Sequence, residues 1–200
     1  HKLNKFLQTL IGESTDLGKI TLSDAVDQVP NSRLGEHHLL DTSPETRLRH
    51  ARGQSLPDWL AMRSGDIGAF PDAVAKPRTV SEVRELLDLA SKQNLGVIPY
   101  GGGTSVVGHI NPVSDENAVL TIDMGMMNQI LHVDSESQLV TIGAGAKGPQ
   151  IEQSLKEISE KGFRIKHFSE HSPKCLAGED KEFVNKFMSK EGTTIFCLLY

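Results

Sequence analysis

Pro99-Tyr100-Gly101-Gly102-Gly103-Thr104-Ser105-Val106-Val107-Gly108 is the stretch on which the reading turns. Three glycines follow the β-prone run Val97-Ile98-Pro99-Tyr100, and two hydroxyl residues follow the glycines. Glycine has no Cβ and enters positive φ freely, so consecutive N–H groups can face one concavity and a ligand can approach the backbone closely. Thr104 and Ser105 add neutral donors, and the segment holds no Lys or Arg. This chemistry suits a diphosphate. Taken alone, the same residues also suit a flexible glycine turn between two strands. Two common nucleotide motifs fit poorly. The dinucleotide fingerprint G-x-G-x-x-G is matched by Gly101 and Gly103, but Val106 stands where the third glycine belongs. A P-loop needs Lys before Ser or Thr, and there is none.

Working outward, the flanks predict alternating elements. Ala73-Val74-Ala75-Lys76-Pro77 reads as a strand. Thr79 to Glu82 reads as a capping box, and Val83, Leu86, Leu87 and Ala90 place one apolar face on the helix that follows. Asn94 and Gly96 offer its stop. Residues 118–123 predict a strand, and 129–134 with 138–142 predict a hairpin turning at Asp134 to Ser137. Gly143 to Ala146 is a flat stretch of small residues. Pro149 suits the first turn of a last helix, with Ile151, Leu155 and Ile158 on its apolar stripe and Gly162 ending it. Upstream, 3–11 and 21–29 predict short amphipathic helices, 30–58 an irregular arm, and 57–63 one or two helical turns, with Trp59 as a packing anchor. The class expected is α+β with a βαβ unit at its front.

The bulk numbers narrow the function. A 200-residue chain with 38% hydrophobic and 24% charged residues is expected to fold. A net charge of −5 without a basic block disfavours nucleic acid. No apolar run is long enough to span a bilayer. The start His1-Lys2-Leu3-Asn4-Lys5 lacks the pattern of a secretory leader, and two cysteines, Cys175 and Cys197, make no disulfide framework. A cytoplasmic location is expected.

Order along the chain adds a resemblance. Arg49-His50-Ala51-Arg52-Gly53-Gln54-Ser55-Leu56-Pro57-Asp58-Trp59-Leu60, Phe70-Pro71-Asp72-Ala73-Val74, the glycine segment, Val119-Leu120-Thr121-Ile122-Asp123, Gly143-Ala144-Gly145 and Gly162-Phe163 follow one another over roughly residues 45–168. Together they resemble the FAD-binding domain of the vanillyl-alcohol-oxidase/p-cresol-methylhydroxylase superfamily, closest to its alkyldihydroxyacetonephosphate-synthase-like branch. The resemblance implies that Pro99, Tyr100, Gly101, Gly102, Gly103, Thr104 and Ser105 wrap the FAD diphosphate, with Val107 and Gly108 continuing beside the flavin. Some relatives link FAD covalently through a His in this loop. Thr104 occupies that place here, so non-covalent FAD is expected, with His109 a surface or packing residue.

The resemblance also sets the expected limits. The organisation expected is an N-terminal helical and irregular arm (1–65), an FAD-binding subdomain (66–168) and a divergent tail (169–200). After Phe168 the family pattern fades into Ser169-Glu170-His171-Ser172-Pro173-Lys174-Cys175, and the second subdomain and substrate cap have no counterpart. The chain is therefore expected to be a truncated or altered piece holding FAD weakly by itself. The implied activity is that of a flavin-dependent oxidoreductase or alkyldihydroxyacetonephosphate-synthase-like enzyme. The alternatives are an FAD-linked 2-hydroxy-acid (lactate or glycolate) dehydrogenase, or a non-catalytic fragment whose apolar end at 195–200 seeks a partner. A small-molecule substrate belongs only to the complete enzyme, and no catalytic residue is assigned. Among the remaining candidates, His50 can meet cofactor or substrate. Arg49 and Arg52 read as solvated charges. His132 and His167 read as structural, and Asp123 and Asp134 as strand ends. The adjacent pair His37-His38 is not expected to hold a metal, because neighbours lack the one-face spacing of an i, i+4 pair.

Overall fold

The computed structural model describes residues 2–13, 18–113, 117–134 and 139–159. Element order is α1 (Lys2–Ile11), α2 (Leu22–Asp27), β1 (Leu40–Asp41), α3 (Pro44–Arg49), α4 (Leu56–Ser64), β2 (Ala73–Ala75), α5 (Val80–Gln93), β3 (Gly96–Tyr100), β4 (Val119–Asp123), a 3₁₀ turn (Met124–Met126), β5 (Ile130–Asp134), β6 (Leu139–Ile142) and α6 (Gly148–Ser159). The class is α+β, as expected. Gly162, His167, both cysteines, the hairpin turn and the tail after 168 lie outside the described residues.

A four-stranded sheet in the order β1-β2-β4-β3 organises the centre. β2 and β3 both run parallel to β4, and β1 is antiparallel to β2. The β2–α5–β3 unit is thus split, with β4 inserted between its two strands. Paired on both sides, β4 is buried from Val119 to Ile122, which explains its nearly unbroken apolar reading. The core joins Ala73, Ala75, Leu86, Leu120 and Ile122, with Leu34, Leu39, Leu40, Leu95 and Met124 packed against it.

Local chemistry accounts for the helix ends. Thr79 Oγ1 accepts from Glu82 N at 3.2 Å, but Glu82 reaches past the cap to Arg78 N at 2.6 Å, so the expected box closes one residue early. Asn94 ends α5 in the left-handed region at φ 53°. On α6, Ile151 is half-buried and Leu155 buried.

The arm differs most from expectation. Residues 30–58 contain β1, α3 and the start of α4. Pro44 opens α3 behind Ser43. A reciprocal capping box, Ser55 with Asp58, opens α4, and Gly65 closes it at φ 85°. This box turns Asp58 inward, so Trp59 is 59% exposed, not a packing anchor. Arg47 is buried, donating to Pro71 O and to Pro30 O at 2.6 Å each. Asp72 accepts two bonds from the Arg33 guanidinium at 2.8 Å and one from Val119 N at 2.8 Å, tying the arm to the start of β4.

Candidate functional site: a braced glycine loop

β3 delivers the chain into the loop at Tyr100, opposite Asp123 in register. Gly103 sits at φ 70° and Gly108 at φ 75°. A Cβ on Gly103 would fall on the Tyr100 hydroxyl, which lies beneath it. Glycine at 103 is therefore favoured twice, by dihedral and by contact. Gly102 faces open space, with Thr104 Cγ2 at 3.8 Å the nearest atom to an added Cβ. Among the described residues, the N–H groups of Gly102 through Val107 find no acceptor, and the exposed Thr104 hydroxyl has no partner. A row of free amides around a bare glycine is what a diphosphate cradle requires.

Ser105 plays a different part from Thr104. It is 2% exposed. Its Oγ lies 3.1 Å from His109 Nδ1, and its carbonyl accepts from Gln54 N at 2.6 Å. Its side chain thus secures the loop from within. His109 is exposed and packs only on Ser105 in this way. Val106 and Val107 are exposed at 64% and 76%, forming an apolar rim.

The braces come from the arm. Asn111 accepts from Gly53 N at 3.0 Å and donates to Asp58 Oδ1 at 2.6 Å, while its own N–H caps Gly108 O at 3.0 Å. Asp58 also accepts from Ser55 N and Oγ. Burial pushes its pKa upward, but the Ser55 and Asn111 hydrogen bonds and the Arg52 guanidinium outweigh that and hold it low. Arg52 is not a solvated charge. It donates to Ile67 O and stands 3.7 Å from Asp58. Arg49 is the solvated one, paired with Glu45 along α3 at 2.7 Å.

Beneath the loop lies a third layer. The His50 ring packs against the Tyr100 ring, centroids 4.5 Å apart and planes tilted by 52°. His50 Nδ1 faces Thr46 O at 2.8 Å and Nε2 faces Asp123 Oδ2 at 3.2 Å. Both partners accept, so both contacts are hydrogen bonds when the ring carries two protons. For Asp123, burial raises the pKa, but the His50 bond and Gly125 N outweigh it and the net shift is downward. Burial, then the Asp123 charge, raises the Tyr100 phenol. Asp123 also accepts from Gly125 N at 2.9 Å, which starts the 3₁₀ turn, and Gly145 packs its bare Cα against the Met124 carbonyl. His132 is exposed on β5.

The structure therefore brings Pro99 through Gly108 into one bend, and places His50 and Asp123 below it rather than on its open face. Sequence reading missed Asn111 as the brace. The Ser-x-x-Asp spacing at 55–58 was the visible signal for the other half of that clamp.

Comparison with known proteins identifies the family. The sequence model of the family described as FAD binding domain matches residues 71–178. Alkyldihydroxyacetonephosphate synthase of Dictyostelium discoideum is 38% identical over 121 residues, covering 60% of this chain and 19% of that protein. Mitochondrial D-2-hydroxyglutarate dehydrogenase of Danio rerio is 32% identical over 100 residues, covering 50% of this chain and 17% of that protein. A solved structure of an alkyldihydroxyacetonephosphate synthase superposes with a TM-score of 0.66 at 28% identity, over 78% of this chain and 32% of the other. The chain thus spans about a fifth of the length of such curated relatives. Among the described residues, no helix is long and apolar enough to cross a membrane.

Proposed function

The chain belongs to the FAD binding domain family, and from that premise we propose that the bend from Pro99 to Ser105 receives the FAD diphosphate without a covalent link. One observation carries this reading: the amides of Gly102 through Val107 have no acceptor among the described residues, beside a glycine at φ 70° whose replacement would strain the bend. Pro99 and Tyr100 set the exit of β3. Gly101, Gly102 and Gly103 let the phosphates approach the backbone, and Thr104 adds a hydroxyl donor. Ser105 contributes its amide and holds the loop through His109 and Gln54. Val107 and Gly108 continue toward the flavin. His109 is occupied by Ser105, and Thr104 has no nucleophilic nitrogen, which supports non-covalent binding. When bound, the flavin supplies a two-electron acceptor; the residues described here bind and orient it.

The activity we infer for a protein containing this domain is that of an alkyldihydroxyacetonephosphate-synthase-like flavoenzyme, since relatives with that name are the more similar. A 2-hydroxy-acid dehydrogenase is the second reading, favoured by the Danio rerio relative. Bleaching of bound flavin by D-lactate or D-2-hydroxyglutarate would select the second. A low cysteine content, two in 200 residues, supports a reducing compartment such as the cytoplasm.

Amide hydrogen exchange tests the loop directly. FAD and ADP share the diphosphate, so both should slow exchange at 102–107, whereas riboflavin should not. Equal effects of riboflavin and FAD, or unchanged exchange at saturating FAD, would overturn the assignment. Release of all flavin on acid denaturation is the expected sign of non-covalent binding.

A further inference from the structure

His37 and His38 precede β1 and lie against α5, sharing no residue with the glycine loop. The two Nε2 atoms each stand 3.4 Å from the same oxygen, Glu85 Oε1. The rings are 4.6 Å apart and tilted by 30°, and the three ligand atoms all lie within 4.8 Å of one another. Among the described residues, no other set of three His, Cys, Asp or Glu side chains converges in this way. The spacing argument against an adjacent pair is overcome because the segment before β1 bends, letting both rings reach one carboxylate on a separate helix.

The distances discriminate between two explanations. A direct N–H···O bond centres on about 2.9–3.0 Å and rarely passes ~3.2 Å, so 3.4 Å is long for it. A tetrahedral ion held at about 2.0–2.2 Å from nitrogen and oxygen separates its ligands by about 3.3–3.5 Å. Two edges of such a tetrahedron are therefore near their bound lengths, and the third, between the two Nε2 atoms, lies within 4.8 Å and closes on binding. Two imidazoles with one carboxylate also suit a borderline transition ion, while calcium and magnesium favour shells of oxygen.

We propose that His37, His38 and Glu85 bind one divalent transition ion of the zinc class, with water in the fourth position, and so fasten the arm ahead of β1 to α5. The cost is small. His37 Nδ1 accepts from Leu39 N at 3.3 Å, and with metal on Nε2 that nitrogen carries the proton and the long contact opens. The His38 and Glu85 side chains are 68% and 45% exposed, so the position stays open to the ion, and substituting either leaves the core intact.

The test uses the full chain, stripped by chelator and titrated with zinc chloride in a calorimeter. The chain has eight His and two Cys, so stoichiometry alone does not locate the site. Hydrogen exchange at 36–41 and 84–88 supplies the location. The wild type should take up one tight equivalent, slow exchange in both segments and melt higher, with magnesium chloride giving none of these. His38→Ala and Glu85→Gln should each weaken that equivalent about tenfold or more, since even indirect partners of metal ligands are worth that much, and should abolish the rise in melting temperature. Superimposable titrations of the wild type and both variants, or slowed exchange confined to other segments, would overturn the site.

Discussion

Gly103→Ala adds one methyl group where the backbone turns left-handed, at φ 70°, and its cost can be worked from the structure in two parts. Holding an L-residue in that region costs about 1–2 kcal/mol. The new Cβ would also fall on the Tyr100 hydroxyl, so the ring must leave its place against His50, 4.5 Å away. Forcing a side chain off its rotamer costs about 0.5–1.5 kcal/mol. Together these give about 1.5–3.5 kcal/mol, or roughly 10- to 300-fold in the folding equilibrium. Gly102→Ala is the matched control. Its φ lies outside the left-handed region and an added Cβ meets nothing closer than 3.8 Å, so its stability should change by no more than about 0.5 kcal/mol. Urea unfolding followed by circular dichroism measures both. In a Tyr100→Ala background the collision is gone, and Gly103→Ala should then cost only the dihedral part, about 1–2 kcal/mol. Gly102→Ala should leave stability alone yet weaken FAD, because its methyl projects where phosphate would approach. If the two alanine variants unfold at the same urea concentration, the loop is not held in this bend, and its free amides no longer support a diphosphate cradle.

Asn111→Ala leaves Gly53 N and the Asp58 carboxylate short of a partner and should cost about 1–3 kcal/mol, read as a lower urea midpoint. Thr121 is fully buried in β4, and its hydroxyl has no partner among the described residues. Thr121→Val, which keeps the shape and removes the orphan, should raise stability by about 1 kcal/mol, and a lower midpoint would refute this. Asp41, Asp58, Asp72 and Asp123 are each pushed upward by burial, but hydrogen bonds and neighbouring cations outweigh it and hold all four below the ordinary carboxylate value. Unfolded, they titrate near ~3.9, so their contribution is complete above that pH and is lost as acid passes through the lower folded values. An acid titration of urea midpoints should show the loss below about pH 4, with a shallower limb in Asp72→Asn.

Legibility followed locality. The glycine bend, the Thr79 cap with Glu82, the stop at Asn94, and β3 and β4 were readable because their signals lie within a few residues. β1 was not. Two residues, Leu40 and Asp41, carry no period, and their pairing with β2 depends on residues more than thirty positions away. The insertion of β4 between β2 and β3 is likewise a matter of topology, invisible to any window. Arg47 defeats composition, since a charged residue reads as surface. Here its guanidinium lies buried between two main-chain carbonyls, with burial lowering its pKa while the Asp72 charge opposes that. Trp59 failed for the opposite reason: size suggested a core, but the Ser55–Asp58 box fixes which side of α4 faces inward.

The loop's own charge leads to a last expectation, resting on the flavin reading. Residues 99–108 contain no Lys or Arg. Nearby, the Arg52 guanidinium is committed to Ile67 O and stands beside Asp58, while His50 faces Asp123 with the Tyr100 ring tilted against it. Among the described residues, the attraction on offer to the diphosphate is therefore that of short-range amide and hydroxyl dipoles rather than of a net positive field. Free cations facing solvent are screened over about 10 Å at 0.1 M salt and ~3 Å at 1 M, whereas contact hydrogen bonds inside a formed cradle lose little. FAD affinity should therefore change only about twofold between those two salt concentrations. His50→Gln should lower it through loop position and leave the salt slope flat. A steep fall with salt would mean that a cation outside the bend, and not the bare amides, holds the phosphates.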